Sequence, residues 1–333
     1  MRVLLVRLDG IGDAAVCVPL LAALRSAGHE IGVALTTRNA GLFAPGAIVA
    51  EHVLERIPWP AHGSTPESTA RANAEIAAMR YDAALIASEE SEAFALGAPI
   101  RERVGFTTGW ARPLKTLWVK ARTTRTVSRS QRVGGEDAHE VEVMYRLGTG
   151  LVRRDAPPAD AAMLRPLLSD DVDAAAVASA LDDGGDATGI TGTRRRGGSL
   201  IVQAGPKWLS AGVPAEVQRD VFARLAPHAR IVAAPGDAAA VRELTGIVPE
   251  TFAGLRPWVE ALASARAVVT VDTGAAHVAG MLGTPVIDVF PDAHFAAQVR
   301  RWRPWASPYR AIRASEVDGG AASRFTEAVL DGF

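Results

Sequence analysis

A short stretch near residue 270 combines residue types that bind phosphate groups. Asp272, Thr273 and Gly274 come directly after the β-branched run 268–271, and His277 follows three residues after the glycine. Such a run is typical of a strand buried on both faces of a parallel sheet. A helix N-terminus at the carboxyl end of a strand is where open α/β sheets bind anions. The stretch therefore predicts a phosphate-binding turn, although the same spacing also fits a helix cap beside a buried histidine.

A second glycine-rich turn follows the first apolar run of the chain. Gly10, Gly12 and Ala15 match G-x-G-x-x-A, the dinucleotide-binding fingerprint, and Arg38 could bind the 2′-phosphate of NADP. In another interpretation, Asp13 is a carboxylate at a helix N-terminus that accepts a proton from a hydroxyl group. In a third, Asp13 only caps that helix. The residues alone leave these three hypotheses open, together with a fourth in which the glycine-rich turn is flexible and binds no ligand.

A third stretch, from residue 107 to residue 135, is basic and contains no acid. Its cations are Arg112, Lys115, Lys120, Arg122, Arg125, Arg129 and Arg132. The pattern predicts an irregular, solvated loop. It also fits a basic rim that faces an acidic acceptor or an anionic membrane surface. The first four of these cations are candidates for binding the acceptor.

Composition narrows the class of protein. The chain has 333 residues, a net charge of -1 and 48% hydrophobic residues, which suits about two globular domains and argues against a general nucleic-acid binder. Its one cysteine, Cys17, fits a reducing cytoplasm. The longest apolar run, 14–24, has eleven residues and is too short to span a bilayer. We expect a cytoplasmic protein with at most peripheral membrane contact.

Strand and helix patterns alternate along the chain and predict two doubly wound α/β domains, 1–150 and 151–333. The predicted strands are 2–8, 31–36, 51–57, 82–87, 101–106, 199–203, 230–233, 267–271 and 286–290. The predicted helices are 14–27 (kinked near Pro19), 67–80, 93–98, 136–147, 169–181, 214–225, 238–245, 255–264, a short helix between Gly274 and Gly283, and 323–330. Segment 148–160 is predicted to be the linker, 182–198 a mobile loop, and 300–305 a cationic aromatic turn.

The pattern also predicts how the two domains are used. They are expected to face each other across a cleft, with Asp13 on one wall and Lys207 and the 272–277 turn on the other. The last helix could pack back on the first domain. Three acids after one strand, Glu89, Glu90 and Glu92, are expected to form a solvated helix start.

With these residues in place, the chain resembles the family-nine glycosyltransferases, whose best-known members are ADP-heptose:lipopolysaccharide heptosyltransferases. The matching motifs are Arg7–Asp13 with Pro19, Arg103–Phe106, His139–Gly148, Lys207–Trp208, and Asp272–Gly274 with His277, Gly283 and Pro285. The resemblance implies a glycosyltransferase B-type fold, a nucleotide-sugar donor, a hydroxyl-bearing acceptor, and inversion at the anomeric carbon without a metal ion or a cofactor.

The resemblance also assigns roles. Asp13 would be the general base and Lys207 the cation that faces the leaving phosphate. The donor would be bound by Gly12, Gly205, Asp237, Asp272, Thr273, Gly274 and His277. Fixed donors can stabilise the charge of a departing diphosphate in place of a metal ion. An inverting attack needs only one base on the opposite face of the sugar.

The chain departs from the family pattern at three points, and these leave its substrates open. The loop 204–207 before the lysine is short, Pro291-Asp292-Ala293 replaces an expected Gly-Pro-Thr, and Asp237 stands near an expected ribose-binding Glu. ADP-heptose is the first candidate donor. The alternatives are transfer from another nucleotide sugar to a soluble natural product, an NADP-dependent oxidoreductase, and a non-catalytic protein that binds a nucleotide or a partner.

Overall fold

The computed structural model describes residues 1–57, 63–130, 132–133, 136–170 and 198–317, together with Val329. The chain divides into two compact units, Met1–Pro158 and Ala159–Phe333.

The first unit is built on a six-stranded parallel sheet. Its strands are β1 Arg2–Val6, β2 Glu30–Thr36, β3 Ala50–Leu54, β4 Ala83–Ile86, β5 Glu102–Thr107 and β6 Arg125–Ser128. The order across the sheet is β3-β2-β1-β4-β5-β6, the order of the Rossmann fold. Most residues of β1, β2 and β4 are buried. This explains why the strands form continuous apolar runs. A separate antiparallel pair consists of β7 Arg132–Val133 and β8 Glu136–Asp137.

The helices of the first unit correct two boundaries of the sequence analysis. They are α1 Ile11–Ala15, α2 Val18–Ser26, α3 Pro66–Met79, α4 Ser91–Gly97, α5 Pro113–Lys120 and α6 Glu140–Tyr145. The predicted single helix 14–27 with a kink near Pro19 is two helices that break at residues 16 and 17. Pro19 lies in the first turn of α2, where a proline needs no N–H to donate. His139 caps α6 instead of lying inside it, and its Nδ1 accepts from the amide of Val141 at 3.1 Å.

The basic stretch is ordered into regular elements, which corrects the prediction of an irregular loop. Within it, α5 packs beside β5, and β6 forms the edge of the sheet. Arg103 of β5 connects this strand to the segment between α5 and β6, because its Nε donates to the backbone oxygen of Arg122 at 2.9 Å.

The second unit contains a five-stranded parallel sheet. Its strands are β9 Leu200–Gln203, β10 Ala229–Val232, β11 Ala267–Val271, β12 Val286–Phe290 and β13 Tyr309–Arg313. The order is β10-β9-β11-β12-β13. Its helices are α7 Ala161–Leu164, α8 Lys207–Ser210, α9 Ala215–Leu225, α10 Ala238–Thr245, α11 Leu255–Ser264, α12 Gly274–Leu282 and α13 Phe295–Trp302.

Two elements of this unit differ from the sequence analysis. The predicted turn at 300–305 instead begins with the end of α13, and β13 was not predicted at all. The expected helix 169–181, loop 182–198 and helix 323–330 lie outside the described residues, apart from 169, 170, 198 and Val329. Val329 belongs to the core of the second unit. Among the described helices, none is long and apolar enough to cross a membrane.

Candidate active site

In the first unit, Asp13 is held by a buried arginine that directly follows β1. The side chain of Arg7 is 3% exposed, and its Nη2 donates to Oδ1 of Asp13 at 2.7 Å. Its Nε also donates to the backbone oxygen of Asp13 at 3.1 Å and lies 3.3 Å from Oδ2 of Asp9. The Asp13 carboxylate, 38% exposed, is therefore fixed in direction and still open on one side.

The rest of the turn is held by neutral polar groups. The hydroxyl of Ser88 donates to Oδ2 of Asp9 at 2.6 Å and accepts from the amide of Leu8 at 2.7 Å. Asn39 donates to the backbone oxygens of Arg7 and Asp9 at 3.1 and 3.3 Å. The turn is thus positioned by the ends of three neighbouring strands, β1, β2 and β4.

The same turn disfavours the dinucleotide hypothesis. Oδ2 of Asp13 accepts from the amide of Gly10 at 3.3 Å, so a carboxylate already lies at the start of α1, where a pyrophosphate would bind. Helix α1 is only five residues long. The carbonyl oxygen of Gly12, the second residue of α1, accepts from the amide of Val16 at 3.1 Å.

In the second unit, the turn after β11 ends as the sequence predicted, in a helix N-terminus. Thr273 is the N-cap of α12, and its hydroxyl accepts from the amide of Ala275 at 3.3 Å. That hydroxyl also lies 2.9 Å from the hydroxyl of Thr270. Within the described part of the chain, the amides of Thr273 and Gly274 donate to no acceptor. Two free donors at the positive end of a nine-residue helix suit an anionic ligand.

Asp272 does not cap the helix. Its Oδ1 lies 3.4 Å from Nε2 of His277, whose side chain is 6% exposed. The imidazole also contacts the indole of Trp302, with a centroid distance of 5.6 Å. Asp272 and Trp302 thus fix the orientation of the His277 ring beside the turn.

Lys207 lies at the first position of α8, after the turn that follows β9, and its side chain is exposed. In the described part of the chain its ammonium has no hydrogen bond or ion pair. The next residue, Trp208, anchors the turn because its buried indole donates to the backbone oxygen of Gln203 at 2.8 Å. Asp237 lies beside Gly205 of the same turn. A Cβ atom added to Gly205 would be 3.5 Å from Oδ2 of Asp237.

These positions share one edge of the second sheet. Gly205 and Lys207 follow β9, Asp237 follows β10, and the 272–274 turn follows β11. Because β9 pairs with both β10 and β11 in parallel register, their carboxyl ends meet at the same edge. The candidate donor residues of this unit therefore lie at three adjacent strand ends.

The three acids lie at the start of α4, as predicted, and Glu89 is exposed, but all three also form ion pairs. Glu90 and Glu92 pair with Arg56 at 2.6 and 3.2 Å. Glu89 pairs with Lys115 and lies 3.5 Å from Arg129. Burial by itself raises the pKa of Glu89, but Lys115, Arg129 and Arg112 together more than offset it and the pKa is lowered.

Of the four candidate acceptor-binding cations, Lys115 is therefore already paired. Arg112, Lys120 and Arg122 form no ion pair among the described residues. Their contact with an acceptor stays a prediction.

Sequence reasoning missed a buried carboxyl group beside the phosphate turn. Asp288 lies in the middle of β12, paired in register with Thr270 of β11. Neither carboxyl oxygen has a hydrogen-bond partner in the described part of the chain. Burial and the nearby Asp272 raise its pKa well above the ordinary value. The available signal was an Asp at the centre of the apolar run Val286–Phe290.

Among the residues that the structure describes, no group of three or more His, Cys, Asp and Glu side chains could hold a metal ion. Metal-independent chemistry stays a prediction.

Each unit is a parallel sheet lined by helices with a polar turn at its carboxyl edge, so the chain has the two Rossmann-like domains of glycosyltransferase B-type folds. Three solved structures share the fold. E. coli heptosyltransferase WaaC with ADP has a TM-score of 0.67 and 19% identity, with 100% of both chains covered. E. coli ADP-heptose LPS heptosyltransferase II has a TM-score of 0.67 and 17% identity, covering 100% of this chain and 98% of that one. The family 9 glycosyltransferase from Veillonella parvula has a TM-score of 0.62 and 15% identity, covering 99% and 89%.

The match at the level of sequence is more specific. Residues 234–324 match the model of glycosyltransferase family 9 (heptosyltransferase), a segment that includes Asp237, the 272–274 turn and His277. No curated protein matches the chain. The predicted α/β fold of glycosyltransferase B type and the resemblance to family nine are thus confirmed. The roles of individual residues stay predictions.

Proposed function

We propose that the protein is an inverting glycosyltransferase that moves a sugar from a nucleoside diphosphate to an acceptor hydroxyl. The observation that carries the proposal is the turn after β11. There the free amides of Thr273 and Gly274 begin a helix, inside the segment that matches the family 9 model. ADP-heptose is the first donor to test, because the similar E. coli structures were solved with ADP and with ADP-2-deoxy-2-fluoro heptose.

In the proposed reaction, Asp13 removes the proton of the acceptor hydroxyl. The acceptor oxygen forms a bond to the anomeric carbon while the bond from that carbon to the phosphate oxygen breaks. The electron pair of the broken bond leaves with the nucleoside diphosphate. Arg7 acts as a positioning residue, since its Nη2 donates to the Asp13 carboxylate while its Nε donates to the backbone oxygen of the same residue.

The second unit would stabilise the leaving group. Charge that develops on the diphosphate is met by preorganised donors, here the amides of Thr273 and Gly274 and the ammonium of Lys207. The absence of a protein partner for these groups in the described residues supports this role. Asp272 would keep the imidazole of His277 oriented, and Gly12, Gly205 and Asp237 are further candidates for donor contact.

A ligand screen tests the donor. Thermal unfolding is measured with ADP, ADP-heptose, other nucleotide sugars and NADPH, because a ligand bound only by the folded state raises the melting temperature. Stabilisation by a nucleotide sugar, followed by transfer to a hydroxyl acceptor, supports the proposal. Stabilisation by NADPH alone would favour the oxidoreductase. Binding of a nucleotide sugar without transfer or hydrolysis would favour a non-catalytic protein.

A matched pair of variants tests the base. Asp13→Asn should lower kcat by about 10²–10⁴, the usual contribution of a general base, with donor affinity nearly unchanged. Asp9→Asn removes a carboxylate that also contacts Arg7 but is hydrogen-bonded to Ser88. This control should lower kcat by less than tenfold. Equal losses in the two variants would show that only the charge balance around Arg7 matters.

A second pair tests the leaving-group cation. Lys207→Ala should lower kcat by about 10²–10³, by analogy with the loss of one fixed oxyanion donor, and should weaken donor binding. Arg224→Ala removes an exposed cation of the same unit that is paired with Asp220. It should leave both quantities unchanged. Near-normal turnover in Lys207→Ala would contradict the assigned role.

A further inference from the structure

Helix α5 and the turn before it carry an exposed apolar face, here called the Trp110 face, made of Trp110, Leu114 and Leu117. Their exposed fractions are 94%, 81% and 64%. The other exposed large apolar residues of the described chain, such as Val248, are scattered along it. Clustered exposed apolar residues mark interaction sites far more often than single ones do.

The orientation of α5 is fixed by packing on its opposite side. Val119 is buried against the sheet, and Trp118 packs edge-to-face on Phe94 with centroids 4.9 Å apart. At 3.6 residues per turn, Leu114 and Leu117 lie roughly 140° and 160° around the helix from Val119. A surface helix normally turns such residues inward, so this helix directs apolar side chains both into the unit and away from it.

Cations that are not ion-paired border the Trp110 face. Arg112 precedes the helix, Lys120 ends it and Arg122 follows it. None of the three forms an ion pair in the described part of the chain. The guanidinium of Arg122 stacks on Trp118 at 4.1 Å. No acid occurs between residues 107 and 135. Glu89, from outside this stretch, is paired with Lys115 and also interacts with Arg112, so the border carries a net positive charge.

We propose that the Trp110 face binds the surface of an anionic lipid bilayer. Indole and leucine side chains can enter the boundary between headgroups and acyl chains, while the bordering cations meet the lipid phosphates. Tryptophan is enriched at this depth because its ring is amphipathic. A second copy of the chain is a poorer occupant, since a twofold contact would bring the same cations face to face.

Vesicle co-sedimentation tests the proposal with the full chain. The protein is mixed with vesicles of phosphatidylcholine alone or of phosphatidylcholine with phosphatidylglycerol. We expect binding only to the anionic vesicles, and weaker binding as salt is raised. The variant Trp110→Ser/Leu114→Ser/Leu117→Ser should bind at least tenfold more weakly. Arg112→Gln and Lys120→Gln should each weaken binding about fivefold, the usual effect of one cation near an anionic surface.

Val248→Ser is the matched control, because it removes an apolar side chain that is 73% exposed in the other unit, and it should bind like the unchanged protein. Circular dichroism melting checks that the variants remain folded. If the triple variant fails to fold, the two charge variants decide the question.

Several results would overturn the proposal: no binding to anionic vesicles, equal binding to both vesicle types, or no effect of the serine and glutamine changes. So would a dimer, detected by sedimentation equilibrium, that the triple variant disrupts in the absence of lipid binding. No sugar takes part in any of these measurements, so the outcome is independent of the proposed transferase activity.

Discussion

The buried carboxyl group of Asp288 should make the second unit less stable as the pH rises above 4. In the folded protein, burial and then the field of Asp272 raise its pKa well above the ordinary value. In the unfolded chain it should titrate near its reference pKa of about 3.9. Between these two values the folded state holds one proton that the unfolded state has released. The free energy of unfolding must therefore fall by about 1.4 kcal/mol for each pH unit in that window.

Asp288→Asn removes this titration while keeping the size of the side chain. The free energy of unfolding of the unchanged protein minus that of the variant should be constant below pH 4. It should then fall with the slope given above and become constant again at the folded-state pKa. The difference cancels the titration of groups that are the same in both proteins. Hydrogen exchange of the β11 and β12 amides, measured against pH in both proteins, reports the opening of this unit.

Asp272→Asn provides a second check on the same reasoning. It removes the charge that adds to the effect of burial on Asp288, so the fall in stability should end at a lower pH. A stability difference between the unchanged protein and Asp288→Asn that does not vary from pH 4 to pH 7, or that rises, would refute the argument. It would mean that Asp288 is ionised and has a partner in the folded protein.

Three further predictions concern the first unit. Gly32→Ala should lower the free energy of unfolding by about 1–3 kcal/mol, because the new Cβ would lie 1.9 Å from the hydroxyl of the buried Tyr81. The control is Gly46→Ala, whose Cβ would meet nothing within 4 Å and should leave the stability unchanged. Urea unfolding measures the free energy of unfolding of both variants. Cys17 is fully buried and burial raises its pKa to about 12, so a thiol reagent at pH 8 should label it only in urea, and rapid labelling of the folded protein would be inconsistent with this environment. Arg56→Met should lower the free energy of unfolding by about 2–3 kcal/mol, because it leaves Glu90 and Glu92 without their ion-pair partner. Adding Glu92→Gln to this variant should restore part of the lost stability. If urea unfolding shows that the effects of the two changes are strictly additive, the pairing is contradicted.

Much of the candidate site follows from local sequence. The β-branched run before Asp272, the capping residue Thr273 and Gly274 act within a few residues of one another, so the strand, turn and helix could be predicted together. The Gly10–Asp13 turn is local in the same way. The alternation of these units along the chain was enough to predict two α/β domains, because a parallel strand pair requires a crossover connection.

The errors have a common physical cause, which is that they depend on neighbours distant in the sequence. Strand β13 is a mostly polar edge strand whose pairing with β12 decides its conformation. The segment that forms α5 and β6 contains many charges and looked irregular. Its order comes from β5, against which it packs and pairs.

The sequence by itself determined the local turns, the α/β class and the residue types able to bind a diphosphate or take up a proton. Only the tertiary structure decided that Arg7 fixes the Asp13 carboxylate, that Asp288 has no partner, and that α5 turns two leucines outward. The reason is that helix and turn signals act over a few residues. Burial and charge pairing, in contrast, depend on which strands become neighbours, and that choice is made by the folding of the whole unit.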